Sequence, residues 1–320
     1  MSHRNRLIAC CILAASVVAA VFLAVRPRPA TPPVPPQVLA LAPLPVSTRP
    51  AQADPKIRPE IVEALGYAAA PWERRLELLR RLPVDLREVE LDALLAAMMQ
   101  PRPAAISTAI YSTYIHEIAS VLERESSIRE RLARGLATVA RDATRDEATR
   151  DYAIQHLRQV WNRAADDAPL RTAIASTFRE FTHLDPVLST GALLSLHLLG
   201  STEGHRQGGA SPTPVSDQMP DAELVSLLDP IFSGKTTANN LPARLTALRI
   251  VGERRLPAYR AAMLTILRDR SDHALVRMAA AHALGRIANP DDLKSLAALD
   301  AGDPRVTNAV QLALRSHSTH

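Results

Sequence analysis

The sequence predicts an all-α protein: an α-solenoid of paired helices, preceded by one N-terminal transmembrane helix and a proline-rich linker. Three observations lead there. Apolar residues make up 47% of the chain but aromatics only 3%, and the apolar share is mostly Ala and Leu, which favour helix and fill narrow spaces between helices. Beyond Pro55, apolar positions recur at helical spacing in short segments bounded by Pro, Gly, Asp or Asn, without strand alternation. These segments are self-similar at a period of about 30 to 45 residues, which is the signature of stacked helix pairs.

Residues 1–6 form a short tail. Leu7 to Val25 contains no charged side chain, and as a helix it spans about 28 Å, close to the hydrocarbon thickness of a bilayer. The stretch also fits a cleaved signal peptide, with Arg4 and Arg6 ahead of it and Val18-Ala19-Ala20 as small residues for a peptidase. The apolar run continues past that point to Val25, which favours an uncleaved anchor. Arg4 and Arg6 are balanced by Arg26 and Arg28, so flanking charge gives no orientation. The short leading tail and the absence of cysteine after Cys11 favour export of the rest. The expected location is therefore a bacterial inner (cytoplasmic) membrane, crossed once, with the C-terminal domain extracytoplasmic (periplasmic). Leu7-Ile8-Ala9-Cys10 looks like a lipobox but precedes an apolar stretch instead of following one, so Cys10 and Cys11 read as small apolar side chains.

Residues 26–55 are a linker in which repeated prolines fix φ, remove amide donors and favour polyproline II. From 56 to 320 helices are expected at about 57–68, 72–82, 85–99, 104–123, 127–141, 146–163, 168–182, 186–199, 221–232, 241–254, 257–269, 273–288, 291–299 and 304–316. Asp185-Pro186, Asn289-Pro290 and Asp303-Pro304 each place a capping side chain before a proline suited to the first helical turn. The polar stretch 201–220, rich in Gly, Pro and Ser, is too long for an ordinary helix connection. It reads as a surface excursion, or as a partner-binding loop with His205 and Arg206 as its contacts.

Val276 to Gly285 aligns with Ala243 to Gly252 at an offset of 33, and with Val306 to Leu314 at an offset of 30. An earlier copy begins at Thr149-Arg150, and a weak one ends at Gly200. Asp272 followed by Val276-Arg277, Ala280 and Ala283-Leu284-Gly285 resembles the HEAT-like repeat of the phycobilisome-lyase type. The resemblance implies a right-handed solenoid in which the aspartate caps a turn, the arginine follows five positions later, and small residues let neighbouring repeats stack. Asn239 and Arg244 keep the same separation, with Gly252 under Gly285, whereas Thr307 and Ala192 stand where the arginine is expected. The expected structural positions are thus Asp272, Arg277, Ala280, Leu284, Gly285, Asn239, Arg244, Gly252 and Arg150.

No catalytic, cofactor or metal motif is found. His116-Glu117 opens like a zinc-protease motif, but position 120 is Ser. His156 and His282 fall at or beside small-residue repeat positions and read as packed or surface histidines, and His317 and His320 read as a frayed tail. Ser233-Gly234-Lys235-Thr236-Thr237 lacks the glycine a phosphate loop needs, since Asp229 stands there. Asp166-Asp167 and Asp291-Asp292 sit at expected helix starts, where negative charge offsets the helix dipole. The sequence pI is about 9.6, but four of the 38 basic residues lie in the first 28 positions, leaving 34 against 33 acidic ones. A near-neutral domain offers no concentrated patch for nucleic acid. The expected function is a membrane-anchored, non-catalytic scaffold for a protein partner. The rival is an enzyme or enzyme-maturation factor, lyase-like or metal-dependent, using the concave face; a third reading is a structural spacer.

Overall fold

The computed structural model describes residues 40–44, 56–66, 70–184, 186–199, 219–233 and 240–318. The chain divides into two compact units, Met1–Gln37 and Val38–His320, and every described residue belongs to the second. Fourteen α-helices lie among the described residues: α1 (Pro59–Ala64), α2 (Trp72–Arg81), α3 (Glu88–Met99), α4 (Thr108–Leu122), α5 (Arg129–Arg141), α6 (Glu147–Arg163), α7 (Ala168–Leu184), α8 (Pro186–Leu198), α9 (Asp221–Phe232), α10 (Leu241–Glu253), α11 (Arg260–Arg268), α12 (Ala274–Ile287), α13 (Pro290–Ala297) and α14 (Pro304–Ser318). Each begins and ends within four residues of its expected place. No strand occurs among the described residues.

Short polar side chains start the helices where the sequence puts them. Asp146 accepts from the Thr149 amide at 2.9 Å and Asp167 from the Leu170 amide at 2.9 Å. Asn289 and Asp292 form a reciprocal capping box at α13, each accepting the other's backbone amide. Such caps matter because the first amides of a helix have no partner within it.

Each odd helix pairs with the even helix after it, from α1 with α2 to α13 with α14. The even helices also pack on one another in unbroken order, α2 on α4, then α6, α8, α10, α12 and α14, while α3, α5 and α7 pack in a second row. This is a two-row α-solenoid. Residues 200–218 lie outside the described residues, yet α8 packs directly on α10, so the even row continues past that insertion. One continuous apolar core runs between the rows, with Ile61, Leu94, Ile118, Leu136, Phe178, Met263 and Leu284 fully buried. Each such side chain contributes roughly 1.5–3 kcal/mol relative to exposure.

Small residues set how closely the even helices approach. A Cβ on Gly285 would lie 2.8 Å from the Ala313 Cβ, and one on Gly252 3.1 Å from the Ala283 Cα. Both glycines face the next helix of the row; at Gly285 the seam has no room for a methyl, and at Gly252 it is tight.

The expected placement in an inner membrane is corrected. Among the described residues no helix is long and apolar enough to cross a membrane. The longest described helices, such as α6, reach 17 residues, and α6 carries Arg150, Asp151, Arg158 and Arg163, whereas a span needs about 20 apolar residues. The run Leu7 to Val25, and most of the linker with it, lies outside the described residues.

Candidate functional site

The described repeat positions fall on the even helices α6, α10 and α12 and, for Asp272, just before α12. Arg277 is 3% exposed and donates to the Leu267 carbonyl at 3.2 and 3.0 Å and to the Ala301 carbonyl at 2.7 Å. Arg150 is likewise buried and donates to the Ala140 carbonyl at 2.8 Å. In both cases the arginine of an even helix satisfies an orphan carbonyl at the end of the odd helix before it. Arg244 instead reaches the next hairpin, with both guanidinium nitrogens on Asp272 at 2.8 and 2.5 Å. Asp272 is thus an inter-repeat anchor, and the N-cap of α12 is His273, which accepts from the Leu275 amide at 3.1 Å. Ala280 and Leu284 are fully buried and Gly252 and Gly285 line the seams. Asn239, His205 and Arg206 lie outside the described residues; Asn240 caps α10, accepting from the Ala243 amide at 3.1 Å.

The titratable groups gather elsewhere, between α4 and α6. His156 Nδ1 stands 2.5 Å from Glu123 Oε1, and His156 Nε2 stands 2.8 Å from His116 Nδ1. Glu123 and His156 are buried, at 6% and 5% exposed, while His116 is half-buried beside Tyr152. As a carboxylate Glu123 only accepts, so His156 Nδ1 carries the proton of that bond. With both rings neutral, His116 Nδ1–H then donates to His156 Nε2, which leaves His116 Nε2 with a bare lone pair. Burial first, and the neighbouring His156 second, hold the His116 pKa below its ordinary value of 6.5. His116 Nε2 is thereby the outer end of a hydrogen-bonded chain that runs inward through His156 to Glu123.

A second polar node joins α8 and α10. His197 Nε2 donates to Glu253 Oε2 at 2.7 Å, and Arg249 donates to Glu253 Oε1 at 2.8 Å. Burial pushes the His197 pKa down despite Glu253, and its Nδ1 meets no hydrogen-bond partner among the described residues. Glu253 opens into a cavity of about 260 Å³ between α10 and α12, shared with Arg249, His282 and Arg286. Among the described residues no cluster of three or more His, Cys, Asp or Glu is arranged to hold a metal ion.

In the sequence His116 and His156 read as separate residues, and only the packing of α4 on α6 joins them. The usable signal was spacing: His116, His156 and His197 are 40 and 41 residues apart, one repeat each, so they face the same row of helices. Of the other motifs, Ser233 ends α9, where Asp229 accepts from the Tyr259 hydroxyl at 2.7 Å. Residues 234–237 lie outside the described residues.

Residues 234–315 match the family described as HEAT repeats. The C-terminal part of the chain therefore carries HEAT-like repeats. No curated protein matches the sequence. Among solved structures, human deoxyhypusine hydroxylase in complex with glycerol is similar at 17% identity, over 81% of this chain and 95% of that chain, with a TM-score of 0.33. A superposition that loose carries no argument about chemistry.

Proposed function

We propose that the chain is a non-catalytic scaffold that binds a protein partner along the exposed side of its even helices. The observation that carries this is the unbroken even row. Gln155, Arg249 and His282 occupy the same position of three repeats, five residues after Arg150, Arg244 and Arg277, and all three are exposed. Three repeats thereby offer a solvent-facing polar side chain at one equivalent position on a rigid base, while the equivalent His197 of α8 is buried; repeat proteins use such surfaces for extended partners. The kinship to phycobilisome-lyase-type repeats, the right-handed sense, and a repeat domain bounded at 56 and 320 belong to the same reading. Cross-linked capture with the intact chain and with a Gln155→Glu, Arg249→Glu, His282→Glu variant tests it. A specific partner retained by the first and lost by the second is expected; identical sets from both would overturn the reading.

A second reading, an enzyme or enzyme-maturation factor, draws on one observation, the Glu123–His156–His116 chain. There His116 Nε2 would act as a general base, with the charge moved inward to His156. Stoichiometric metal in the pure protein, or a reaction abolished by His116→Gln with folding intact, would move the assignment to this class.

A further inference from the structure

Residues 40–44, within the stretch read as linker, run without helix, turn or bend against α5 and α7. The Leu41 amide donates to Thr177 Oγ1 at 3.0 Å, and the Leu44 amide donates to Thr138 Oγ1 at 3.0 Å. Arg141 donates to the Leu41 carbonyl at 3.0 Å. The Leu41 side chain is 6% exposed, whereas Ala42 and Pro43 face solvent.

The receiving surface is held by contacts of its own. Thr138 and Thr177 donate their hydroxyl protons one turn back, to the Arg134 carbonyl at 2.8 Å and the Ala173 carbonyl at 2.9 Å. Their lone pairs are therefore left to accept from the groove. Arg141 is held by Glu180 through two bonds of 2.8 and 2.6 Å and lies over the Phe181 ring at 5.3 Å. Thr138 to Thr177 and Arg141 to Glu180 are both separations of 39 residues, so α5 and α7 present equivalent positions of two repeats.

The geometry suits an extended chain in general. Amides three residues apart on such a chain are about 10 Å apart, and packed helices have axes about 8–10 Å apart. One amide therefore meets one threonine on each helix. Among the described residues every polar contact to the segment goes to its backbone, and the side chains it sets against the protein are the buried Leu41 and the half-buried Leu44. Pro43 falls where no amide donor is used. Beside the segment an open cavity of about 420 Å³, lined by Glu130, Arg134, Asp167, Leu170 and Ala173, leaves room for further residues.

We propose that the α5–α7 groove is a binding site for an extended, uncharged peptide of a partner protein, with leucine at positions 1 and 4, and that residues 40–44 occupy it in cis until that peptide replaces them. This deepens the scaffold reading and rests on it only in assuming a protein partner. A covalently attached occupant competes at an effective concentration of about millimolar order, so the groove opens only to a partner that is abundant or tethered nearby.

Fluorescence anisotropy of a labelled synthetic peptide, Val38 to Val46 of this sequence, tests the groove on the purified full chain. Leu41→Asp is expected to bind the peptide at least tenfold more tightly than the wild type, and adding Thr177→Val is expected to remove most of that gain. Equal binding to wild type and Leu41→Asp, or a gain indifferent to Thr177, overturns the proposal. A wild-type dimer split by the peptide would make a second copy the occupant and also overturn it. Should Leu41→Asp not fold, amide exchange of the wild type decides: excess peptide is expected to abolish protection at Leu41 and Leu44, and unchanged protection counts against the site. The purified assay is independent of partner capture, so either reading can fail alone.

Discussion

Arg277 of α12 and Leu267 of α11 are joined by two hydrogen bonds to a single carbonyl, and the same bond recurs ten residues back from Arg150, at Ala140. The repeat thus fastens its first helix to its second through a buried arginine. Arg277→Ala would strand the Leu267 and Ala301 carbonyls and leave a cavity, lowering stability by about 2–4 kcal/mol. Urea denaturation followed by circular dichroism measures this, and a loss below about 0.5 kcal/mol would count against the role.

Gly285 tests the seam. A helix-interior Gly→Ala change normally gains up to about 1 kcal/mol, but here the new methyl meets Ala313 at 2.8 Å from its Cβ and 3.0 Å from its Cα. Overpacking of this kind costs about 1–3 kcal/mol, so Gly285→Ala should lower the melting temperature. Ala313→Gly in the same chain should recover part of the loss, because it removes the opposing methyl. Additive effects in the double variant would show that the two residues do not meet.

Glu90 shows what a buried carboxylate does for the N-terminal hairpins. It is fully buried and accepts from the Arg58 amide, Nε and Nη2 at 3.0, 2.9 and 2.8 Å, and from the Arg87 amide and Nη2 at 2.9 and 2.7 Å. Burial acts to raise its pKa, yet the bonds from Arg58 and Arg87 outweigh that and hold it well below the ordinary 4.5. Glu90→Ala would leave Arg58 and Arg87, both partly exposed, without this partner, and the lost charge-assisted bonds should cost about 1.5–3 kcal/mol. Thermal melts at neutral pH read it directly.

Two pH windows should separate in the stability profile. For His116 and His197 the folded pKa lies below the ordinary 6.5, so the unfolded chain binds more protons just below that pH and stability falls as pH drops through 6.5. For Glu90 the folded pKa lies below the ordinary 4.5, so its contribution is intact above 4.5 and lost as pH falls further. The upper step should shrink in a His116→Gln, His197→Gln variant while the lower step persists. A single step unaffected by both changes would contradict the assignment.

Glu123 faces His116 through His156, and its negative charge acts to raise the His116 pKa. Glu123→Gln should therefore lower the His116 titration midpoint further, followed by its ring-proton chemical shift. An unchanged or raised midpoint would show that the chain Glu123–His156–His116 does not couple.

Much of the fold was legible because helix formation is written locally. Alanine-rich periodicity, Asp167 and Asn289 at helix starts, and the recurrence of Arg150 at Arg244 and Arg277 place the helices and their pairing. The candidate sites were harder. His116 and His156 are forty residues apart and look like separate core positions until α4 packs on α6. Residues 40–44 carry only alanine, leucine and proline, which read as spacer, since nothing local announces that two threonines and an arginine of later repeats will accept them.

The sequence by itself determined the helices, their ends and their order, since spacing, capping and the small residues at 252 and 285 act within a turn or against the next repeat. Only the tertiary structure decided which polar groups share a site. Stacking repeats brings residues about one period apart into contact, so the Glu123–His156–His116 chain and the Thr138–Thr177 groove exist as properties of the stack and of no single segment.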